Sequence, residues 1–310
     1  MGLKGRDLIS IRDLSREEID EILAASRRML PYARGEKHSK ILENRILVLA
    51  FFEPSTRTRL SFDTAMQRLG GGCVTIADPA SSSIRKGESL SDTVRMLSAY
   101  GDAIVLRHPN EGAARLAAAV SELPVVNAGD GAGQHPTQTL LDLATMQEAF
   151  GTLSGLKVVL LGDLRFGRTV HSLAHALALF GSQMVLVSPP PLRLPEEVRE
   201  QLDRAGAKVE EEEQLHRALR DADVLYVTRI QRERFGDDLE FARIADSYRV
   251  DTAVLAAAKS RLIVLHPLPR TVEIAPEVDG TRHAAYFRQA ELAVPVRMAL
   301  LSLLLTGKSG

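Results

Sequence analysis

Apolar, β-branched runs recur along this chain in two series, each run followed by turn residues and then by a segment with helical spacing. The first series is RILVLAFF from Arg45, CVTIA from Cys73, DAIVLR from Asp102 and PVVNA from Pro124. The second is KVVLLGD from Lys157, QMVLVSP from Gln183, DVLYVTR from Asp223 and RLIVLHP from Arg261. Runs of this composition suit strands covered on both faces, and the strand, helix, strand order makes those strands parallel. Helical spacing is clearest at Ile19, Ile22, Leu23 and Ser26, and at Phe62, Ala65, Met66 and Leu69 before Gly70. An α/β fold with one sheet per series is expected. QTLLDLATMQEAF, ending at Gly151, reads as the helix that links the two halves, and the Glu210 to Glu213 run as a solvated loop or helix start.

A length of 310 residues allows for two domains of ordinary size. Lys plus Arg total 39 against 40 Asp plus Glu, a net charge of −1, so no basic excess exists to neutralise a nucleic-acid backbone. Small anions are a different matter, because a few well-placed arginines grip a phosphate or carboxylate whatever the total charge. The one cysteine, Cys73, can form neither an internal disulfide nor a thiolate zinc cluster, which fits a reducing compartment. The start, MGLKGRDLISIRDLS, has no long apolar signal core, so a cytoplasmic protein is expected. The run Met298 to Leu305 is too short to cross about 30 Å of hydrocarbon and is expected to be a docked final helix, with no membrane partner.

In open α/β sheets ligands bind beyond the carboxyl ends of the strands, so the loops after each run carry the chemistry. After RILVLAFF comes EPSTRTRLSFDTA, where Ser55 or Thr56 can cap a helix whose first N–H groups attract anions. Arg57 in that first turn opposes the helix dipole, a tension that a bound anion would relieve; the plainer alternative is a cap with solvated arginines. The polar loop DPASSSIRKGES, with Ser82 and Lys86, is either a surface loop or a reach toward a neighbour. The third strand ends at Arg107-His108-Pro109, and the fourth leads to His135 before a Pro-started helix. Gln138, one turn on, offers a neutral donor and acceptor that suit an uncharged NH₂–C=O group.

In the second half Gly162, Gly167, Arg168 and Thr169 imitate a phosphate loop, but the spacing matches neither that loop nor a dinucleotide fingerprint. Arg168 then reads as a carboxylate-binding fork at a helix start, or else as an exposed cap or ion pair. Arg229, Gln231 and Arg234 follow a later strand end. Beyond RLIVLHP, Pro267 and Pro269 stiffen the backbone and can fix carbonyl groups, with a cis bond at Pro269 left open.

FFEPSTRTR at 51–59, SSSIRKGE at 81–88, RHP at 107–109, QHPTQTLLDL at 134–143, GDLRFGRTVHSL at 162–173, TRIQRER at 228–234 and HPLPR at 266–270 resemble, in order, the motifs of the aspartate carbamoyltransferase family. The resemblance spans nearly the whole chain. It implies two doubly wound parallel-sheet domains with an active-site cleft between them: residues 1–136 for carbamoyl phosphate, completed by a helix at about 290–310, and 137–289 for aspartate. By the same resemblance Ser55, Thr56, Arg57, Thr58, Ser82, Arg107, His135, Gln138, Leu268 and Pro269 bind carbamoyl phosphate. Lys86, Arg168, Arg229 and Gln231 bind aspartate, and Arg57, Thr58, Lys86, Arg107 and His135 are the catalytic set. The implied reaction moves the carbamoyl group of carbamoyl phosphate to the amine of L-aspartate in de novo pyrimidine biosynthesis, with no metal or cofactor.

The family lends the Ser82 and Lys86 loop from an adjacent subunit, which implies a homotrimer with shared sites; regulatory or dihydroorotase chains as further partners stay open. Ornithine-type carbamoyltransferases are the alternative, since they share STRTR. They typically carry HCLP where this chain has His266-Pro267-Leu268-Pro269, and a cationic side chain would be repelled by Arg168 and Arg229. Glu53 is expected to pair with Arg168 or Arg234. The chain departs from the family pattern at Val272, where an Asp is frequent, and at ELAVPVRMALL before the end.

Overall fold

The computed structural model describes residues 2–76, 87–230 and 248–308. They form two compact units, one of Met1–Ala144 with Glu291–Gly310 and one of Thr145–Ala290.

The first unit is built on a four-stranded parallel sheet in the order β2-β1-β3-β4, with β1 at Ile46–Phe51, β2 at Gly72–Ile76, β3 at Ala103–His108 and β4 at Val125–Asp130. Leu8 adds a parallel bridge to Val126 at the β4 edge. Helices α1 (Arg16–Ala33), α2 (Thr56–Arg68), α3 (Leu90–Ser98) and α4 (Ala113–Val120) belong to the same unit. Helix α1 starts where a Ser15–Glu18 capping box satisfies two backbone donors, and it buries Ile19, Ile22, Leu23, Ala25, Ser26 and Met29 along one stripe. Leu47, Val48, Leu49 and Ala50 of β1 are almost wholly buried, and each Leu or Val so buried contributes about 1.5–3 kcal/mol. The final helix, Ala293–Thr306, packs on α1 and α2. The stretch Tyr286–Thr306 is long and apolar enough to cross a membrane, but 72% of that window is buried inside the protein, as in a core helix.

The second unit carries a five-stranded parallel sheet in the order β7-β6-β5-β8-β9, with β5 at Lys157–Leu161, β6 at Gln183–Val187, β7 at Lys208–Glu211, β8 at Val224–Val227 and β9 at Ile263–Leu265. Helix α5 (Pro136–Phe150) leads into it, and α6 (Arg168–Leu179) and α7 (Glu196–Arg204) follow β5 and β6. One element departs from the sequence expectation. Glu210 and Glu211 are not in a loop or helix start but in edge strand β7, paired with Val185 and Leu186. An edge strand needs only one neighbour's backbone, and both faces of β7 are largely exposed, so acidic residues are tolerated where an apolar pattern would normally announce a strand.

In each sheet the chain winds outward in both directions from two central neighbours, β1 and β3 in the first and β5 and β8 in the second. Such a reversal of strand order is where open parallel sheets place a ligand crevice, at the carboxyl ends of the two central strands.

Candidate active site

The first unit assembles its candidate residues at the ends of β1, β3 and β4. Phe51 pairs with Arg107 in register, and the Phe52 N–H donates to the Arg107 carbonyl at 2.8 Å, so the loop into α2 starts beside the Arg107 backbone. Ser55 occupies the N-cap position of α2, but its side chain makes no capping bond and the first turn holds no acidic residue. The sequence expectation of a Ser cap is thus met in position and not in hydrogen bonding. That leaves a helix start with its positive dipole end uncompensated, the arrangement that favours an anion. Arg57 is exposed at this end, Thr56 is exposed, Ser55 is half-buried and Thr58 is buried.

Arg107 is 9% exposed and spreads its guanidinium between the Ala128 carbonyl at 3.1 Å and the Glu53 carboxylate at 3.0 Å. Glu53 thus has Arg107 as one partner within its own unit; Arg234, one of the two partners expected from the sequence, lies outside the described residues. Below this layer the final helix supplies Arg297, fully buried, donating to Ser61 Oγ and lying 4.6 Å over the Phe62 ring. Burial, with the Arg107 charge nearby, pushes its guanidinium down to about 9, so it remains a cation at neutral pH. The sequence did carry a signal for it: a single charge inside the apolar run AVPVRMALLSLLL.

The loop after β4 is shaped by buried Asp130, which accepts from the Gly112 N–H, Asn127 Nδ2 and the Gln134 N–H at 2.9–3.0 Å. Gly131 has φ +53, and a Cβ there would stand 2.7 Å from the Pro109 carbonyl, so glycine lets the β4 loop press against the RHP segment. His135 follows, 4% exposed, and its carbonyl accepts the Gln138 N–H that opens α5. Gln138 is also buried, and its Nε2 donates to Asp142 Oδ1 at 2.8 Å one turn along the helix. With the amide nitrogen held this way, Oε1 is the atom left to accept from an uncharged NH₂ group. The i, i+4 spacing of Gln138 and Asp142 is the sequence signal for this pairing.

In the second unit Arg168 opens α6 after β5, and Arg229 follows β8; both are half-buried. Their loops are locked together. The Thr228 N–H donates to the Leu161 carbonyl at 2.8 Å, and Thr228 Oγ1 to the same carbonyl at 3.0 Å. Gly162 has φ +112, and a Cβ there would meet the Thr228 carbonyl at 2.4 Å. Only glycine allows that approach. Buried Asp163 accepts the N–H groups of Arg165 and Phe166 at 3.1 and 2.9 Å and so shapes the turn before Arg168. Gln231, Ser82 and Lys86 lie outside the described residues.

After β9, Leu268 is half-buried with φ +54, Pro269 is exposed, and the peptide between them is cis. Cys73 offers no nucleophile at neutral pH, since burial, with Asp63 beside it, pushes its thiol up to about 12.

Residues 6–148 match the model of the aspartate/ornithine carbamoyltransferase carbamoyl-P binding domain, and residues 154–304 match that of the Asp/Orn binding domain. The chain belongs to the aspartate/ornithine carbamoyltransferase family. Within it, the chain is 56% identical over 303 residues to a protein of Methanothrix thermoacetophila, covering 98% of this chain and 99% of the relative. It is 57% identical over 304 residues to a protein of Methanothermobacter thermautotrophicus, covering 98% and 97%. Both relatives are named aspartate carbamoyltransferase catalytic subunit. Among solved structures, aspartate transcarbamoylase of Trypanosoma cruzi in complex with N-(phosphonacetyl)-L-aspartic acid superposes with a TM-score of 0.93 at 39% identity, covering 98% and 97% of the two chains. The catalytic subunit of M. jannaschii aspartate transcarbamoylase gives 0.91 at 49% identity, covering 98% and 99%.

Proposed function

We infer that this chain is an aspartate carbamoyltransferase, which transfers the carbamoyl group of carbamoyl phosphate to the amine of L-aspartate and releases N-carbamoyl-L-aspartate and phosphate. The observation that carries the aspartate reading is the pair Arg168 and Arg229 at the ends of neighbouring strands β5 and β8, joined through Thr228. Two guanidiniums suit a substrate with two carboxylates and repel the ammonium side chain of ornithine. The near-full-length relatives named for aspartate support the same choice.

Residues 1–136, completed by the final helix, bind carbamoyl phosphate, and 137–289 bind aspartate. Ser55, Thr56, Arg57, Thr58 and Arg107 hold the phosphate, with Ser82 and Lys86 entering from an adjacent subunit of a cytoplasmic homotrimer. His135 and Arg107 polarise the carbonyl oxygen, and the Gln138 Oε1 accepts from the carbamoyl NH₂ together with the carbonyls around Leu268 and Pro269. Arg168, Arg229, Gln231 and Lys86 hold aspartate. Its neutral amine attacks the carbamoyl carbon, a C–N bond forms, and the C–O bond to phosphate breaks. Arg57, Arg107 and Lys86 stabilise the charge that gathers on the departing phosphate. The amine proton leaves with the phosphate or to solvent, and no covalent enzyme intermediate is formed. Holding both substrates in line supplies much of the remaining acceleration.

The test is competition. With carbamoyl phosphate, aspartate and ornithine offered together, the purified enzyme is expected to form N-carbamoyl-L-aspartate and phosphate; citrulline as the main product would overturn the assignment.

A further inference from the structure

The loop after β9 closes on itself around a buried pair. His266 is 2% exposed and Glu273 is 5% exposed, and His266 Nε2 lies 2.8 Å from Glu273 Oε1. The other ring nitrogen, Nδ1, accepts the Leu268 N–H at 2.8 Å. Since Nδ1 must hold a lone pair for that bond, the proton sits on Nε2 and is donated to the carboxylate; both nitrogens are used and the tautomer is fixed. Glu273 Oε2 accepts from the Thr271 N–H, Thr271 Oγ1 and the Val272 N–H at 2.9–3.0 Å. The His266 N–H is held by Gln289 Oε1 at 2.8 Å, which ties the ring's own backbone to the helix Tyr286–Glu291. Burial pushes the Glu273 carboxyl up, but the bonds from His266 and the backbone outweigh it and hold the group down at about 2.

What this network restrains is Leu268, a non-glycine residue in the left-handed region at φ +54. Such a conformation costs of order 1–3 kcal/mol and persists only where its surroundings over-determine it. A leucine before a proline would ordinarily be extended. We propose that His266 and Glu273 are a positioning pair, holding Leu268 in its left-handed conformation so that the carbonyls of the Leu268–Pro269 segment are fixed for the carbamoyl NH₂. This rests on the reading of the chain as a carbamoyltransferase. Neither side chain touches substrate; each acts through the backbone it holds.

Two substitutions separate the ring nitrogens. In His266→Asn, Oδ1 takes the place of Nδ1 and accepts from the N–H two residues on, whereas in His266→Gln the amide reaches Glu273 and leaves the Leu268 N–H unheld. The KM for carbamoyl phosphate, kcat, and the competitive inhibition constant of inorganic phosphate are measured on the full-length enzyme with saturating aspartate. H266Q is expected to raise the carbamoyl-phosphate KM about tenfold, the effect of one lost hydrogen bond, with the phosphate constant unchanged. H266N keeps the bond to the Leu268 N–H and loses the one to Glu273, so it is expected to raise that KM by only about threefold. Equal losses in both variants, or a parallel weakening of phosphate, would sink the proposal, because phosphate does not carry the NH₂ group. If H266Q does not fold, E273Q is read instead: a raised carbamoyl-phosphate KM at constant phosphate binding supports the pair, and an unchanged KM overturns it. Failure of the parent enzyme to make N-carbamoyl-L-aspartate overturns the carbamoyltransferase reading itself, and this inference with it.

Discussion

The helix starts that follow β1 and β5 share a plan and differ in what lies beneath them. Both α2 and α6 begin without a side-chain capping bond and without an acidic residue in the first turn, and both present an arginine there. Under the α2 start are two buried cations, Arg107 and Arg297, with Glu53 the carboxylate bonded to Arg107. At the α6 start the buried group is a carboxylate, Asp163, spent on the N–H groups of its own turn. A helix dipole alone favours any anion. The buried charge then sorts them: a doubled guanidinium layer suits a doubly charged phosphate, and a site already holding a buried carboxylate suits the weaker, planar charge of an amino-acid carboxylate gripped by a fork.

The steepest test of that contrast is Arg107→Ala. It removes the donor that the proposed mechanism directs at both the phosphate and the developing oxyanion, and kcat is expected to fall on the order of 10²–10³-fold in a steady-state phosphate-release assay. A loss under about tenfold would mean that the α2 start works without its buried support. Arg168→Met comes next. Removing one charged hydrogen-bonding fork should raise the KM for aspartate about 10–100-fold while leaving the affinity for carbamoyl phosphate unchanged. Equal losses for both substrates would erase the distinction between the two helix starts.

Parallel sheets and crossover helices were legible because buried parallel strands are written as continuous apolar runs, as in RILVLAFF and KVVLLGD. Strand β7 was not, since KVEE pairs on one edge and buries almost nothing. The arginines at the strand ends could be read as candidates because a charge immediately after an apolar run marks the functional edge of such a sheet. Their partners could not. Glu53 and Arg107 are 54 residues apart and Ser61 and Arg297 are 236 apart, so only the packed chain brings them together. The His266 and Glu273 pair is closer in sequence, seven residues apart, a helical spacing, yet Pro267 and Pro269 between them forbid a helix, and the bond exists because the loop doubles back.

Arg297 gives the smallest effect and the finest discrimination. Among the described residues no carboxylate contributes to its electrostatics, only burial and the like charge of Arg107. A buried cation in that position carries a desolvation penalty that packing alone does not repay, so its charge is an unfavourable feature of the empty protein and a favourable one once an anion sits above it. Arg297→Met keeps an unbranched apolar stem in the same space against Phe62. In the absence of phosphate its melting temperature is expected to stay within the range that about 1 kcal/mol produces, because the lost hydrogen bond and ring contact are offset by relief of the buried charge. The gain in melting temperature on adding phosphate should shrink, corresponding to an affinity about fivefold weaker, on the order of 1 kcal/mol. Calorimetry with and without phosphate reads both numbers at once. A variant that melts much earlier yet retains the full gain from phosphate would make Arg297 a packing residue, and the charge layered beneath α2 would then reduce to Arg107 alone.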